Sequence, residues 1–440
     1  MKKNRKKYSY FFIETYGCQM NKNDSERIET ILTNNGFRQA PKMENADIII
    51  INTCSVREHA EKRALGRAGG LAGWKKKSSA RKLGIVGCTA QRMGKELLNT
   101  IPHVDFILGP DQYRLLPDII NKSEHKQLMN TSFRPCETYE SIYPMTDNNS
   151  VSSFVTISRG CSNYCSYCIV PYTRGKVRSR NSDDIIKEIK YLVDSGKSEI
   201  ILLGQNVNTY HDGKYCFSDL LKRVSQIQGV LRVRFMTSHP KDLTEDILRV
   251  IQQEKKVCSH LHLPMQSGST RILSLMNRQY TREDYINLVT KARIMIPELS
   301  LTTDIMVGFP DETETDFQET VSLMKRICFD DAFLYYYSSR PETKAAGMEN
   351  QIPKNVKLKR LDLIIQLQRK ISLKKKKQMI GQKVEVMPET YSKYSDKELL
   401  GKTSTNYNIV FPGDNTIIGD LVSIKLDDCK GTTLRGKLIS

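Results

Sequence analysis

The sequence contains no apolar run long enough to cross a bilayer, so we expect no transmembrane helix among its 440 residues. It also lacks repeats at solenoid periods and extended low-complexity segments, which argues against a repeat array. A secretory signal is not expected, because the short apolar stretch in MKKNRKKYSYFF is soon interrupted by ETYGCQMNKND. We therefore predict a cytoplasmic protein that makes no contact with a membrane.

Cysteine is present eleven times, an odd number that does not suit a framework of disulfides. In a reducing cytosol, clustered cysteines indicate metal binding or catalysis. The net charge is +19, from 68 basic and 49 acidic residues. Such a charge favours a polyanionic partner such as nucleic acid, although a Lys-, Asn- and Ile-rich composition from biased base usage explains it equally well.

The hydrophobic pattern predicts an α/β protein with three domains joined in series. Residues 8–125 alternate short apolar strands with helical stretches, which indicates a parallel sheet covered by helices. Residues 126–150 are polar and read as a linker. Residues 151–380 restart the alternation with six βα units, which predicts a complete or partial TIM-like barrel that ends in one long basic helix. Residues 381–440 change to strands with Gly and Pro turns, the pattern of a small β-barrel.

The stretch RGCSNYCSYC places Cys161, Cys165 and Cys168 within eight residues. Their spacing also suits one buried face of a helix, but a helix would spread them over about 10 Å of rise. The neighbouring Gly, Ser and Asn residues, with Pro171 after them, favour a loop instead. Such a loop can fold three thiolates around one iron–sulfur cube, whereas a structural zinc site needs a fourth ligand that is not nearby.

A second trio consists of Cys18, Cys54 and Cys88, which lie 36 and 34 residues apart. Each cysteine closes an apolar run, in FFIETYGC, IIIINTC and GIVGC. Ligands of open α/β sheets gather beyond the carboxyl ends of parallel strands, so three strand ends predict one shared site. Ordinary buried cysteine is the alternative for each residue alone. Together they predict a second cluster with three protein ligands.

These motifs resemble the methylthiotransferases of the radical S-adenosylmethionine (SAM) superfamily over nearly the whole chain. The matching blocks include ETYGCQMN, INTCSVRE, RGCSNYCSYCIVPYTRGKVRSR, LLGQNVNTY, LPMQSGS and TTDIMVGFPDET, in the family's order. TSHP at 237–240 and LLGQNVN are similar to the branch that modifies isopentenyladenosine in tRNA. The C-terminal barrel resembles the RNA-binding TRAM domain. The GGE stretch of many radical SAM enzymes is absent, and Gly204-Gln205-Asn206 stands at that strand end.

The resemblance implies two [4Fe–4S] clusters and SAM. One SAM is cleaved at the Cys161, Cys165 and Cys168 cluster to give a 5′-deoxyadenosyl radical, and a second methylates sulfur carried on the auxiliary Cys18, Cys54 and Cys88 cluster. The radical is needed because no acid or base removes the unactivated C2–H of adenine. The implied product is the 2-methylthio derivative of N6-isopentenyladenosine at position 37, next to the anticodon. An electron-donor protein and the tRNA anticodon arm are the implied partners of a monomer.

Further site residues are predicted from the strand ends and from the family. For SAM these are Tyr167, which the family packs beside the adenine, and the polar residues Gln205, Asn206, Ser238, Gln266 and Asp304 at the barrel mouth. For RNA they are Arg174, Arg178, Arg180, Lys374, Lys375, Tyr407 and Phe411. The arginines can equally contact SAM or remain solvated, and Lys374–Lys377 can be an ordinary solvated face.

Two other substrates and one other class of protein are compatible with these motifs. The same chemistry acts on threonylcarbamoyladenosine in tRNA and on a ribosomal protein in sister branches of the family. A non-catalytic iron–sulfur protein that binds RNA is the alternative from another class. Reductive SAM cleavage distinguishes the enzyme from that binding protein.

Overall fold

The computed structural model describes residues 9–122, 127–144 and 150–439. Its strands are β1 (Tyr10–Thr15), β2 (Arg38–Gln39), β3 (Ile48–Thr53), β4 (Lys82–Gly87), β5 (Phe106–Leu108), β6 (Leu128–Asn130), β7 (Ser152–Thr156), β8 (Ser158–Arg159), β9 (Arg178–Ser179), β10 (Glu199–Leu203), β11 (Arg232–Phe235), β12 (His260–His262), β13 (Ser300–Val307), β14 (Asp331–Tyr336), β15 (Lys383–Ser392), β16 (Ser395–Thr403), β17 (Asn408–Pro412), β18 (Val422–Lys430) and β19 (Thr433–Leu438).

The helices surround these strands in the order that the sequence pattern indicates. They are α1 (Gln19–Asn34), α2 (Glu58–Gly70), α3 (Ala72–Lys76), α4 (Cys88–Met93), α5 (Lys95–Thr100), α6 (Leu116–Lys122), α7 (Val170–Arg174), α8 (Ser182–Asp194), α9 (Phe217–Ser225), α10 (Glu245–Gln253), α11 (Thr270–Leu275), α12 (Arg282–Met295), α13 (Glu314–Ile327) and α14 (Lys354–Gln378). Within the described residues, no helix has both the length and the apolar character needed to cross a bilayer.

The chain forms two compact units, and the first contains the described residues up to 144 together with Ser158–Ser162 and Cys168–Arg180. Its main sheet is parallel with the order β2-β1-β3-β4-β5-β6. Ile49 and Ile51 of β3 enter one core, and Ile48 and Ile50 enter another. Because alternate side chains of a strand point to opposite faces, this apolar run supplies both helix-covered faces of the sheet.

The stretch predicted as a linker, 126–150, is built into this first unit over residues 127–144. β6 extends the sheet by pairing in parallel with β5. Tyr139 is fully buried, its ring stacks on Tyr113 at 5.6 Å between centroids, and its hydroxyl donates to the Pro110 carbonyl at 2.7 Å. The polar composition concealed these contacts, because one three-residue strand and one anchored tyrosine hold the segment. Residues 145–149 of the predicted linker lie outside the described residues.

The second unit contains the predicted barrel and the C-terminal domain. The barrel strands form two parallel three-stranded sheets, β11-β10-β7 and β12-β13-β14, with a single bridge from Val233 to Val257. Val155, Ile200, Leu261 and Ile305 from both sheets share one core. The six strands are those predicted, in the architecture of a partial barrel. The radical SAM region proposed as 151–380 thus contributes two short segments, 158–162 and 168–180, to the first unit instead.

The C-terminal strands close into a five-stranded barrel with the order β15-β16-β17-β19-β18. Its core is apolar and includes Val386, Leu399, Ile409 and Phe411. These strands occupy the region 381–440, where a small β-barrel was predicted. This small barrel confirms the expected change of fold after α14.

Two buried arginines of β11 attach this small barrel to the larger one within the second unit. Arg234 donates from Nε to Glu199 Oε1 at 2.7 Å and from Nη2 to the Thr403 carbonyl at 2.6 Å. Arg232 donates from Nη2 to the Glu385 carbonyl at 3.2 Å and from Nη1 to the Lys402 carbonyl. Glu199 is 1% exposed, so its charge depends on Arg234 for compensation.

We expect Arg234→Met to lower the free energy of unfolding by about 3–5 kcal/mol, because it leaves the Glu199 carboxylate buried and unpaired. Urea unfolding followed by circular dichroism measures the change. The control is Lys437→Met, whose ion pair with Asp427 is exposed and 3.8 Å long and whose loss should cost no more than about 0.5 kcal/mol. Equal losses in the two variants would contradict this role of Arg234.

Candidate functional site

The parallel sheet of the first unit places Cys18, Cys54 and Cys88 at one edge. Cys18 caps the N-terminus of α1 after β1, Cys54 follows β3, and Cys88 is the first residue of α4 after β4. The three strands are neighbours, with β1 paired to β3 and β3 paired to β4 in parallel register. Their carboxyl ends therefore meet at the same edge, as the strand-end argument predicted.

The thiols of this trio interact with one another. The Cys54 thiol donates a hydrogen bond to the Cys18 sulfur, which lowers the pKa of Cys18 to about 6 and raises that of Cys54 well above its ordinary value. Burial raises the pKa of Cys88, and the Arg174 guanidinium opposes that shift. Three mutually interacting sulfurs beside a cation form a donor set that suits a metal–thiolate site.

The described residues include no group of three or more His, Cys, Asp or Glu side chains arranged to grip a single metal ion. A cube of four irons and four sulfides takes each thiolate at a different corner, so its ligands need not converge on one point. The trio of Cys18, Cys54 and Cys88 thus fits an iron–sulfur cluster by donor chemistry. Its assignment as the ligand set of that cluster stays a prediction.

Gly17 permits the close approach of two of these cysteines. Its φ is +131°, and a Cβ at this position would lie 2.2 Å from Cys54 Cβ and 3.0 Å from Cys54 Sγ. A side chain at residue 17 would therefore displace Cys54 from Cys18. This contact explains why a glycine precedes Cys18 in ETYGC.

If the predicted ligand set holds, we expect Gly17→Ala to lose about half of the bound iron, because the added methyl group would separate Cys18 from Cys54. The measurement is iron and sulfide content after anaerobic reconstitution. Gly36→Ala is the matched control, since Gly36 also has a positive φ, +87°, but has open space around its Cβ position. The role of Gly17 would be refuted if both variants retained the same iron.

The RGCSNYCSYC segment forms a loop between β8 and α7, as the sequence predicted. In the first unit, the Cys161 N–H donates to the Gly175 carbonyl at 3.1 Å. Gly160, with φ +78°, lets this loop close, because a Cβ there would lie 2.1 Å from the Lys176 carbonyl oxygen. The loop is thus folded by backbone contacts that a larger residue at 160 would break.

In the second unit, Cys165 and Tyr167 share a buried cation, Arg278. Its Nη1 lies 3.5 Å from Cys165 Sγ and 3.4 Å from Tyr167 Oη. The Tyr167 ring packs edge-on against Phe309 at 6.5 Å between centroids. Sequence reasoning missed Arg278, because an arginine more than 110 residues further along the chain gives no local signal of this contact.

Polar side chains collect at the carboxyl ends of β10 and β11, where the Val207 N–H donates to the Thr237 carbonyl at 3.1 Å. Five side chains here have a buried polar atom with no hydrogen-bond partner in the part of the chain that the structure describes. They are Gln205, Asn206, Asn208, Ser238 and His239. Since buried polar atoms are normally paired, such a cluster indicates a place for a polar ligand. Three of the five had been predicted, and Asn208 and His239 extend the set.

His239 presents a hydrogen-bond donor to this cluster. Its Nδ1 accepts the Lys241 N–H at 3.3 Å, and burial lowers its pKa to about 2. The ring is therefore neutral and carries its proton on Nε2, the atom that lacks a partner among the described residues. Asn206 is held in place by its own bond from Nδ2 to Asp242 Oδ2 at 2.6 Å.

Gln266 and Asp304, the other two predicted polar residues, meet on the second sheet of the partial barrel. The Gln266 N–H donates to the Asp304 carbonyl at 2.8 Å, and Gln266 adopts a φ of +64°. The Asp304 carboxylate lies 3.5 Å from His262 Nε2. These two residues are therefore adjacent, as their strand-end positions indicated.

Of the three arginines predicted to contact RNA, two are buried and the third, Arg178, is partly exposed and held in an ion pair. Arg174 is 3% exposed and pairs with Asp24 at 2.8 Å, and Arg178 pairs with Asp111 at 2.6 Å. Arg180 is fully buried. A guanidinium enclosed in the protein cannot reach a phosphate, so the prediction is corrected for Arg174 and Arg180, which are structural. For Arg178 it stays a prediction.

Most of the C-terminal residues predicted to contact RNA are also structural. Phe411 is fully buried in the core of the small barrel. The Tyr407 hydroxyl donates to Asp330, and Lys375 Nζ lies 2.5 Å from the same carboxylate. Both side chains are therefore engaged within the second unit. Lys374 alone of this group is exposed.

Three family models match successive parts of the chain. The model described as uncharacterized protein family UPF0004 matches residues 10–109, the radical SAM superfamily matches 155–324, and the TRAM domain matches 377–439. The chain is 44% identical over 436 residues to the tRNA-2-methylthio-N6-dimethylallyladenosine synthase of Carboxydothermus hydrogenoformans, covering 98% of this chain and 99% of that protein. The chain belongs to this family of synthases.

Other comparisons agree with that membership. The synthase of Syntrophus aciditrophicus is 42% identical over 435 residues, covering 98% of this chain and 94% of that protein. The radical SAM methyltransferase TsrM of Kitasatospora setae, solved with cobalamin and a [4Fe–4S] cluster, has a TM-score of 0.61. It is 11% identical over 77% of this chain and 74% of its own, so it supports the fold alone. Membership of a radical SAM synthase family identifies an enzyme that works with [4Fe–4S] clusters and SAM.

Proposed function

We propose that this protein converts N6-isopentenyladenosine at position 37 of tRNA, next to the anticodon, into its 2-methylthio derivative. The observation that carries the proposal is 42–44% identity to named synthases of that product over 98% of the chain. It agrees with two cysteine trios, one at the strand ends of a parallel sheet and one in a loop. The proposal includes a cytoplasmic monomer, and an electron-donor protein as partner, because reductive cleavage consumes an electron from outside.

Six cysteines would hold the two clusters. Cys161, Cys165 and Cys168 would ligate the cluster that binds SAM, and Cys18, Cys54 and Cys88 would ligate the auxiliary cluster. When bound, the clusters and SAM would supply three things: a radical that removes the C2 hydrogen, the sulfur atom that takes its place, and the methyl group added to that sulfur. The chain's own part is to supply thiolates, and the lowered pKa of Cys18 favours that form.

The polar cluster after β10 and β11 would bind the polar groups of SAM. The unpaired atoms of Gln205, Asn206 and Ser238 offer hydrogen bonds to its amino and carboxylate groups. His239 Nε2–H adds a donor that stays neutral at every physiological pH. Gln266 and Asp304 would complete the site from the second sheet, and Tyr167 would contact the adenine.

Loss of either trio should abolish the product while affecting SAM cleavage differently. We expect Cys161→Ala to form neither 5′-deoxyadenosine nor methylthiolated tRNA, because it removes a ligand of the cluster that binds SAM. Cys18→Ala should still form 5′-deoxyadenosine but no product. Mass spectrometry of nucleosides after anaerobic turnover with isopentenylated tRNA measures both. The matched control is Cys429→Ala, which changes a cysteine outside both trios.

The same assay separates the alternatives. Turnover of threonylcarbamoylated tRNA or a ribosomal protein, with none of isopentenylated tRNA, would assign the chain to a sister branch. Iron binding without SAM cleavage in the wild type would indicate the non-catalytic RNA-binding protein. Either result would overturn the proposal.

The exposed basic face of α14 would bind the tRNA. Lys370, Lys374 and Lys377 are exposed, and they line a surface depression of about 450 Å³ together with Leu373 and Gln378. The spacing of the lysines places all three on one side of the helix, where they can follow a phosphate backbone. This surface replaces Arg174, Arg180 and Phe411, which are buried, as the candidate RNA contact.

We expect the double variant Lys374→Ala, Lys377→Ala to weaken tRNA binding and to reduce the slope of log K against log salt by about 2, one per lost phosphate contact. Filter binding across a salt series measures the slope. Lys187→Ala with Lys190→Ala is the control, because it removes two exposed lysines at the same spacing from α8. An unchanged slope for the α14 variant would exclude this surface.

A further inference from the structure

Asp24 is a fully buried carboxylate on α1, the helix that begins directly after Cys18. It accepts hydrogen bonds from two arginines, from Arg159 Nη1 at 2.7 Å and from Arg174 Nη2 at 2.8 Å. Both arginines are almost fully buried, at 1% and 3% exposure. One carboxylate therefore fixes two side chains that have no access to solvent.

The two arginines stand on either side of the radical SAM loop in the sequence. Arg159 lies two residues before Cys161, and Arg174 lies six residues after Cys168. Arg159 also donates from Nη2 to the Pro110 carbonyl at 3.1 Å and lies over the Tyr139 ring at 4.8 Å. Asp24 thus holds the segment before Cys161 and the segment after Cys168 within the first unit.

Asn21 links the same network to the auxiliary cysteines. Its Oδ1 lies 3.2 Å from Arg174 Nη2 and 3.4 Å from Cys18 Sγ, and its Nδ2 donates to the Thr53 carbonyl at 2.8 Å. Thr53 immediately precedes Cys54. Two arginines against one aspartate leave a positive charge in excess, and Arg174 places it beside the thiols of Cys18 and Cys88.

We propose that Asp24 and Arg174 form a positioning pair that holds the segment after Cys168 against the auxiliary cysteine trio. Neither residue is a ligand, and each acts through others: Asp24 through the two arginines, and Arg174 through Asn21 and the trio. This inference rests on the proposed function, since it is sulfur transfer that requires the auxiliary trio. Partners behind the ligands of a metal site commonly set how well that site works.

The Asp111–Arg178 pair provides a matched comparison in the same unit. Arg178 Nη1 and Nη2 lie 2.6 Å and 3.0 Å from the Asp111 carboxylate, which is 1% exposed. Arg178 further donates to the carbonyls of Arg134 and Arg174. The pair therefore anchors the same stretch of chain, but through backbone carbonyls rather than through Asn21 and the trio.

The test compares Asp24→Asn with Asp111→Asn in the reconstituted full-length protein. Asp24→Asn keeps the shape of the side chain and removes its charge. We expect the amount of methylthiolated product per 5′-deoxyadenosine to fall about tenfold in Asp24→Asn and to stay near the wild-type ratio in Asp111→Asn. A purely structural role would lower both yields together and leave their ratio unchanged.

Hydrogen exchange of the iron-free protein gives a second readout that does not depend on turnover. Exchange in Asp24→Asn should rise in residues 18–24 and 168–174 together, whereas Asp111→Asn should leave residues 18–24 at the wild-type rate. If Asp24→Asn does not accumulate, Arg174→Met carries the test, because it removes the Nη2 group that donates to both Asp24 and Asn21, while Arg159 still compensates the Asp24 charge. It should show both effects.

An unchanged product ratio in Asp24→Asn, or an equal fall in Asp111→Asn, would overturn the positioning role. Unchanged exchange in residues 18–24 would do the same. Failure of the proposed function has a different signature, since the wild type itself would form no methylthiolated adenosine. The exchange comparison would then still decide whether Asp24 joins the two segments.

Discussion

The parallel register of β1, β3 and β4 is the constraint that brings Cys18, Cys54 and Cys88 together. Parallel neighbours end at the same edge, so cysteines that are 36 and 34 residues apart in the chain reach one place. No disulfide or long-range ion pair is needed to collect them. The apolar strand residues that pack on both faces of the sheet therefore also position the three sulfurs. Gly17 lets Cys54 approach Cys18, and Asn21 contacts Cys18 and the Thr53 carbonyl.

The basic residues of this chain fall into two groups that differ in exposure to solvent. Arg159 and Arg174, near the cysteine loop, are buried and paired with Asp24, where they cannot contact RNA. Lys370, Lys374 and Lys377 of α14 are exposed to water, where a flexible ammonium can follow a phosphate backbone. The net charge of +19 is therefore a poor guide to the interface unless burial is known.

Much of the fold was predictable because long apolar runs specify strands, and strong caps specify helix ends. Asn181 and Thr281 are residues that favour helix N-termini, and they cap α8 and α12. β6 was not predicted, because a strand of three residues is too short to show an alternating hydrophobic pattern. The position of Cys18, Cys54 and Cys88 at one edge of the sheet followed from the strand ends. The roles of Asp24 and Arg278 and the burial of Arg174 could not be predicted, because the burial of these charged residues depends on partners more than a hundred residues away in the chain.

The attachment of the small barrel has an evolutionary corollary. Arg232 and Arg234 bind it mainly through main-chain oxygens of residues 385, 402, 403 and 404. A peptide carbonyl is the same whichever amino acid bears it. Mutations that alter the side chains of these four residues therefore leave the hydrogen bonds from Arg232 and Arg234 to the main chain intact. Selection on the nucleic-acid module can then proceed by substitution within the barrel, without compensating changes in the enzyme body that carries it.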